Sequence, residues 1–329
     1  MPSRQTRHAA GVERKSWPQS TPSAPPARQR ERSCQKRARA SGSAVAWCKR
    51  CQNQAMVELR ETRPGWVEVS MFSRPPTIYL DHWALRRVSA RSEWRNRFIE
   101  AFQTCGTLFF SVVHLAELAR NSGESVGEIR TFLQAVGPNW MVIRSDPNVV
   151  MELEAHWLPG MKAAHVGDLF FKQTDFLKRL TTGPVSLTHL IDMLDLPGQR
   201  EAILAEVDGM CDQMVMTINR WRDAYQQAPA VLDVPFPQEP FRERFATRYA
   251  YFRLMRLFVR DAFTVQPNDV RDFFHTVVPV AHANMVVLDK RWHAQVEKLK
   301  LPPRFMRCFK EGTMNDFFDV LDACSAAQD

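Results

Sequence analysis

Four acids in this 329-residue chain stand where they could do chemistry: Asp81, Glu117, Asp272 and Asp289. Asp81 ends the apolar run Ile78-Tyr79-Leu80, and Asp289 ends Met285-Val286-Val287-Leu288 in the same way. A carboxylate at the carboxyl end of a buried strand is poorly placed to stabilise a core and well placed to hold a ligand in the crevice outside the strand ends. Glu117 follows the run Leu108-Phe109-Phe110, and Asp272 precedes the run that begins at Met285. Carboxylates gathered in one cleft repel each other and take up protons unless a divalent cation neutralises them. Ligands made only of carboxylate oxygen suit Mg²⁺ or Mn²⁺, and such a cation would assist hydrolysis of a phosphodiester.

Each acid also has a plain structural use. Asp81 and Asp289 can cap the helices that follow them, and Asp269 and Asp272 fall in the first turn of another, where carboxylates favour the free N–H groups. Glu117 can be a solvated helix position. Asp269 is the alternative to Asp272 as the third acid. His114 and Glu117 are i, i+3 neighbours, as are Asp272 and His275, so a mixed histidine/carboxylate di-metal site is a further option. The simpler expectation for His275 is packing within its helix or a bond to a carboxylate. Lys290 and Arg291 could meet a substrate phosphate or remain solvated charges.

The elements that must position these residues read as an α/β fold. Thr77 to Leu80 is a buried strand, followed by a helix carrying Trp94, Phe98, Ile99 and Phe102 at helical spacing and stopped at Gly106. Strand two is Leu108-Phe109-Phe110, and Ser111 caps a helix from Val112 to Arg120. A helix at about 125–136 leads to strand three at Trp140 to Ile143. The spacing then predicts a mostly helical insertion over 147–265, with stretches at about 147–156, 168–180, 186–195 and 240–260 and one long helix from Gly198. The α/β rhythm returns at Pro267. There Asn268 or Asp269 caps a helix to about His282, Met285 to Leu288 is a strand, and Arg291 to Leu299 is helical. A short strand around 304–309 and a helix from Asn315 to Cys324 follow.

Composition bounds the reading. Residues 1–70 hold 14 Lys/Arg against 5 Asp/Glu, which leaves 30 against 31 for the rest of the chain, so the net charge of +8 belongs to the N-terminal stretch. A folded body near neutrality has to meet nucleic acid through a local patch or bound cations. Residues 1–70 are expected to be a disordered basic extension. A start codon assigned too far upstream, with Met56 or Met71 as the working start, would produce such a segment. Seven cysteines at irregular spacing are no disulfide framework, and Cys48 and Cys51 form one C-x-x-C without the second pair a zinc site needs. No apolar run is long enough to span a bilayer, and no secretory signal is visible, so the cytoplasm is the expected compartment. A nucleophile with a paired base, a phosphate-cradling glycine loop and a dinucleotide fingerprint are all missing.

The segments IYLD at 78–81, SVVHLAEL at 111–118 and DVRDFFHTVVPVAHANMVVLDKRW at 269–292 together resemble the PIN domain family of metal-dependent ribonucleases. The resemblance covers about 77–145 and 266–325. It implies a PIN-like three-layer α/β fold with a central, mostly parallel sheet, interrupted here by the helical insertion. It further implies Mg²⁺ or Mn²⁺ held by Asp81, Glu117, Asp272 and Asp289, with Glu117 either a ligand or the group orienting water. An RNA substrate and products with a 5′-phosphate and a 3′-hydroxyl are implied as well. The chain departs from the family at His82 and Trp83, where many members have small polar residues, and at Val287, where many have Thr or Ser. Those departures keep two alternatives open: a PIN-like RNA-binding module without catalysis, and a helical interaction protein working through 147–265. A homodimer and an antitoxin-like regulator also stay open.

Overall fold

The computed structural model describes residues 57–63, 66–71, 73–121, 124–156, 187–260 and 265–326. Part of the stretch expected to be disordered is ordered: β1 (Val57–Arg63) and β2 (Trp66–Met71) pair as an antiparallel hairpin with Val57 opposite Met71 and Leu59 opposite Val69. The signal was present as alternation of apolar and polar residues on either side of the Pro64-Gly65 turn pair, and the basic composition upstream masked it. The disorder expected for 1–45, the Cys48/Cys51 pair and the helix expected at 168–180 lie outside the described residues.

The site is built on a second sheet. β3 (Thr77–Leu80) leads into α1 (His82–Ala90) and α2 (Ser92–Thr104); β4 (Thr107–Phe110) leads into α3 (Val112–Arg120) and α4 (Glu124–Val136). β5 (Trp140–Val142) precedes α5 (Pro147–His156). The helical region continues with α6 (Leu187–Asp192), α7 (Gln199–Gln227) and α8 (Ala246–Arg260). The chain then returns to the sheet with α9 (Pro267–His282), β6 (Met285–Val287), α10 (Lys290–Glu297), β7 (Arg307–Phe309) and α11 (Met314–Ala326). The five strands run parallel in the order β5-β4-β3-β6-β7. The chain works outward from β3 in one direction and resumes on its other side with β6. The gap between the carboxyl ends of these two strands is therefore the point where connections diverge and a crevice opens.

Near-continuous burial explains the parallel arrangement: Ile78, Tyr79, Leu108, Phe109, Trp140, Met141, Val286 and Val287 are each at most 1% exposed. At the amino end of the sheet, Asn284 ties the two halves together, accepting from the Thr77 amide at 2.9 Å and donating its own amide to the Thr77 hydroxyl at 3.0 Å. Among the described residues no helix is long and apolar enough to cross a membrane.

The long helix does not form a separate unit, since residues 48–329 cluster together. α7 packs on α3, α8 and α9. Arg200 at its start donates to the Ala119 carbonyl at 2.7 Å, and Arg222 donates to the Phe258 carbonyl at 2.6 Å, two guanidinium contacts to the free C-terminal carbonyls of α3 and α8. The insertion thereby ties α3, which carries Glu117, to α8, and it packs as well on α9, which carries Asp272. One expected cap is corrected: α9 begins after Gln266 with Pro267 at its first position, and Asp269, three residues on, accepts from the Gln266 amide at 2.9 Å. Proline suits the first turn because its missing N–H has no partner to lose there.

Gly106 sets the entry to β4. Its φ is +96°, and a Cβ there would lie 2.9 Å from the Phe102 ring and 3.3 Å from the Pro76 carbonyl oxygen. Gly106→Ala is expected to cost about 2 kcal/mol or more, from left-handed strain plus overpacking. Urea denaturation measures it; a variant within about 0.5 kcal/mol of the parent would contradict this account.

Candidate functional site

A cleft of about 570 Å³ opens at the carboxyl ends of β3 and β6. Its walls include all four acids singled out in the sequence, Asp81, Glu117, Asp272 and Asp289, together with His82, Trp83, Arg86, Arg87, Glu128 and His275.

Asp81 and Asp289 are held by the same local device. Each leaves its strand in an extended conformation and caps the next helix: Asp81 Oδ1 accepts from the Ala84 amide at 2.7 Å, and Asp289 Oδ1 accepts from the Trp292 amide at 2.8 Å. The capping use and the cleft position coincide. The two are also joined, because the Asp289 amide donates to Asp81 Oδ2 at 2.8 Å and the Asp81 amide donates to the Val287 carbonyl at 3.0 Å. Asp81 thus has both oxygens on backbone N–H groups.

Of the two candidates for the third acid, Asp272 and not Asp269 lines the cleft. Asp269 serves the start of α9 and pairs with Arg291 at 2.5 Å, whereas Asp272, one turn further, lines the cleft. Neither Lys290 nor Arg291 contributes to the cleft wall.

Glu117 is the centre of a histidine cluster. Its Oε2 lies 3.0 Å from His275 Nε2 and 3.2 Å from His82 Nδ1, the second an ion-pair distance without hydrogen-bond alignment. His275 Nδ1 forms a short contact with the Tyr79 hydroxyl. His114 is spent elsewhere: its Nδ1 accepts from the Ser111 amide at 3.1 Å, which leaves Nε2–H to donate to the Leu80 carbonyl at 2.8 Å. The mixed histidine/carboxylate di-metal option is therefore not built, since both nitrogens of His114 and of His275 are already bonded. Among the described residues, no three His, Cys, Asp or Glu side chains stand at ready metal-ligand spacing.

Electrostatics divides the acids into two sets. Burial pushes Glu117 up, but the charge and hydrogen bond of His275, then His82 and His114, outweigh it and hold the carboxyl at about 2. For His275 burial is likewise outweighed by the charge and hydrogen bond of Glu117, and its pKa is raised. Asp81 has no such partner; burial lifts it to about 7 against the Ala84 amide, His275 and the Asp289 amide. Burial lifts Asp272 to about 6, with the Asp289 and Glu117 charges adding to the rise and His275 opposing it.

Sequence reasoning missed Arg86, Arg87 and Glu128. The arginines were legible only as positions three and four after Trp83, which share a helix face with it. His82 and Trp83, read as departures from a family pattern, prove to be wall residues, while Val287 is buried in its strand and offers the cleft nothing. Comparison of the chain with protein-family models, curated proteins and solved structures gives no match.

A carboxyl whose folded pKa is raised keeps its proton where the unfolded chain has released it. Its stabilising contribution is complete below the unfolded value and is lost as pH rises through the folded one. Asp272 and Asp81 should therefore make stability fall between about pH 4 and pH 7 in the presence of chelator. Asp272→Asn should flatten the part up to about pH 6 and gain on the order of 1 kcal/mol at about pH 8, allowing for solvent screening. Urea unfolding across pH provides the check, and an unchanged slope in the variant would refute the assignment.

Proposed function

We propose that the cleft is the active centre of a PIN-like, Mg²⁺- or Mn²⁺-dependent endoribonuclease. The observation that carries this reading is the convergence of Asp81, Glu117, Asp272 and Asp289 on one cleft where the connections of a parallel sheet diverge. The donor set fits a hard divalent cation in its chemistry: every candidate ligand is a carboxylate oxygen, and two of the carboxyls are basic enough to hold protons near neutrality. The fit lies in chemistry and shared location rather than in pre-set spacing. Asp289 Oδ2 and Glu117 Oε1 carry no hydrogen bond among the described residues, and Asp272 also faces the cleft. Asp81, Asp272 and Asp289 would hold the ion, and Glu117 would either join them or orient a water. Five acids against two arginines would also repel an RNA phosphate, which adds to the need for a cation.

When bound, the cation supplies charge neutralisation and a water of lowered pKa. The chain's own residues position the rest. Asp81 is fixed by two amides, so its carboxylate direction is set before anything binds. Glu117, kept ionised by His275 and oriented by it, presents Oε1 as an acceptor for the O–H of a water. Tyr79 and Ser111 buttress His275 from behind, with the two hydroxyls 3.4 Å apart.

One observation favours a second reading, RNA binding without hydrolysis: Asp81 has both oxygens engaged and Glu117 Oε2 already has two histidines. Incubation with structured and unstructured RNA separates the two. Cleavage is expected with Mg²⁺ or Mn²⁺ and not with chelator. Asp81→Asn and Asp289→Asn should each lower kcat/KM by about a hundredfold or more, the several kcal/mol a cation contributes. Asp269→Asn should stay within about threefold of the parent, because its carboxylate serves α9 rather than the cleft. Mn²⁺ should raise the melting temperature of the parent and not of Asp272→Asn. Metal-independent cleavage, or parental activity in Asp81→Asn, would sink the hydrolytic reading; RNA bound and never cut would establish the second.

A further inference from the structure

The helix that Asp81 caps has two faces of opposite character. Ala84, Leu85, Val88 and Ser89 are buried beneath it, while Trp83, Arg86, Arg87 and Ala90 line the cleft at the complementary helical positions. Trp83 is partly buried and packs against the core, so its indole is anchored on one side and presented to the cleft on the other. The Arg87 guanidinium lies 6.0 Å from the Trp83 ring centre, the outer limit of a cation–π contact, and 3.8 Å from Glu311, so it is loosely tied away. Arg86 is exposed and its guanidinium makes no ion pair among the described residues. The acids Asp81, Glu117, Glu128, Asp272 and Asp289, with His82 and His275 beside Glu117, occupy the remainder of the lining.

We infer that the exposed face of α1 is a nucleotide subsite, taking an unstacked base of single-stranded RNA on Trp83 and the adjoining phosphate on Arg86. The proposal rests on the ribonuclease reading and names the form of RNA that reading leaves open. The arginines of the lining stand on α1, whereas the two histidines are paired with Glu117 and the rest is acidic, so a polyanion is best met along the α1 wall, which pairs an aromatic face with an exposed guanidinium a helical turn away. Stacking on an aromatic side chain needs a base whose face is free, which a strand within a duplex does not offer.

The test is equilibrium binding of a fluorescently labelled short single-stranded RNA, and of the same sequence as a duplex, to the full chain. Anisotropy is read with chelator and with Ca²⁺. The parent should bind the single strand more tightly than the duplex. Trp83→Ala should weaken single-strand binding about tenfold or more, while Trp83→Phe, which keeps an aromatic face, stays within about threefold. Arg86→Ala should lower the slope of log affinity against log salt by about 0.7, the value for one phosphate contact on a single strand. Because Trp83 also touches the core, thermal melts accompany each variant, and Arg86→Ala tests the same subsite without disturbing packing. Single-strand affinity indifferent to both Trp83→Ala and Arg86→Ala, or equal losses for single strand and duplex, overturns the subsite. Binding that depends on Trp83 without any metal-dependent cleavage upholds the subsite and removes the hydrolytic reading. Cleavage with no dependence on Trp83 or Arg86 does the reverse.

Discussion

The amide of Asp289 donates to the carboxylate of Asp81, and the cleft depends on that one bond. It ties the carboxyl ends of β3 and β6, which are separated by about two hundred residues of chain, on the side where their connections part. The same carboxylate caps α1 through the Ala84 amide. Charge-assisted bonds of this kind contribute about 1.5–3 kcal/mol each when the acceptor is ionised. Burial works against ionisation, and the balance leaves Asp81 near pKa 7. The bond that organises the cleft is therefore also the place where a proton, or a cation in its stead, is most needed.

Glu117 shows what compensation looks like in the same surroundings. Burial acts on it as on its neighbours, yet His275 holds its carboxyl at about 2, and the rings of His114 and Tyr79 lie with centres 4.7 and 5.9 Å from that imidazole. The cleft thus has a half whose charge is already balanced by histidine and a half, Asp81 with Asp272 and Asp289, whose charge is not. The sequence left Glu117 as either a ligand or the group orienting water; the structure gives it the histidine neighbours that set it apart from Asp81 and Asp272.

Much of the sheet was legible because burial on both faces leaves continuous apolar runs, and strand ends followed by Asp or Ser announce helix starts. The positions of Asp81, Glu117 and Asp289 followed directly from those runs. The order of strands did not, since pairing of β3 with β6 joins segments far apart in sequence and no local pattern encodes it. The choice between Asp269 and Asp272 likewise turned on one helical turn: Arg291 draws Asp269 to the helix start, a contact across 22 residues. The hairpin strands at 57–63 and 66–71 were hidden by composition, although their alternation was there to be read. The cationic wall was missed because Arg86 and Arg87 acquire meaning only once α1 is known to bury its other face.

The departures from the family pattern can be argued as one adjustment. Val287 is buried in its strand, and the Asp289 carboxylate is oriented by the backbone, through the Trp292 amide. His82 stands one residue after Asp81 and faces Glu117, adding a second imidazole to the balanced half of the cleft. Trp83, next in sequence on the same helix, points about 100° away from it and lines the cleft beside Arg86 and Arg87. A small polar pair at 82 and 83 would leave Glu117 with His275 alone and α1 with no aromatic surface. The two positions therefore change different halves of the site, His82 the electrostatics of the acid on α3 and Trp83 the surface along which a substrate would lie.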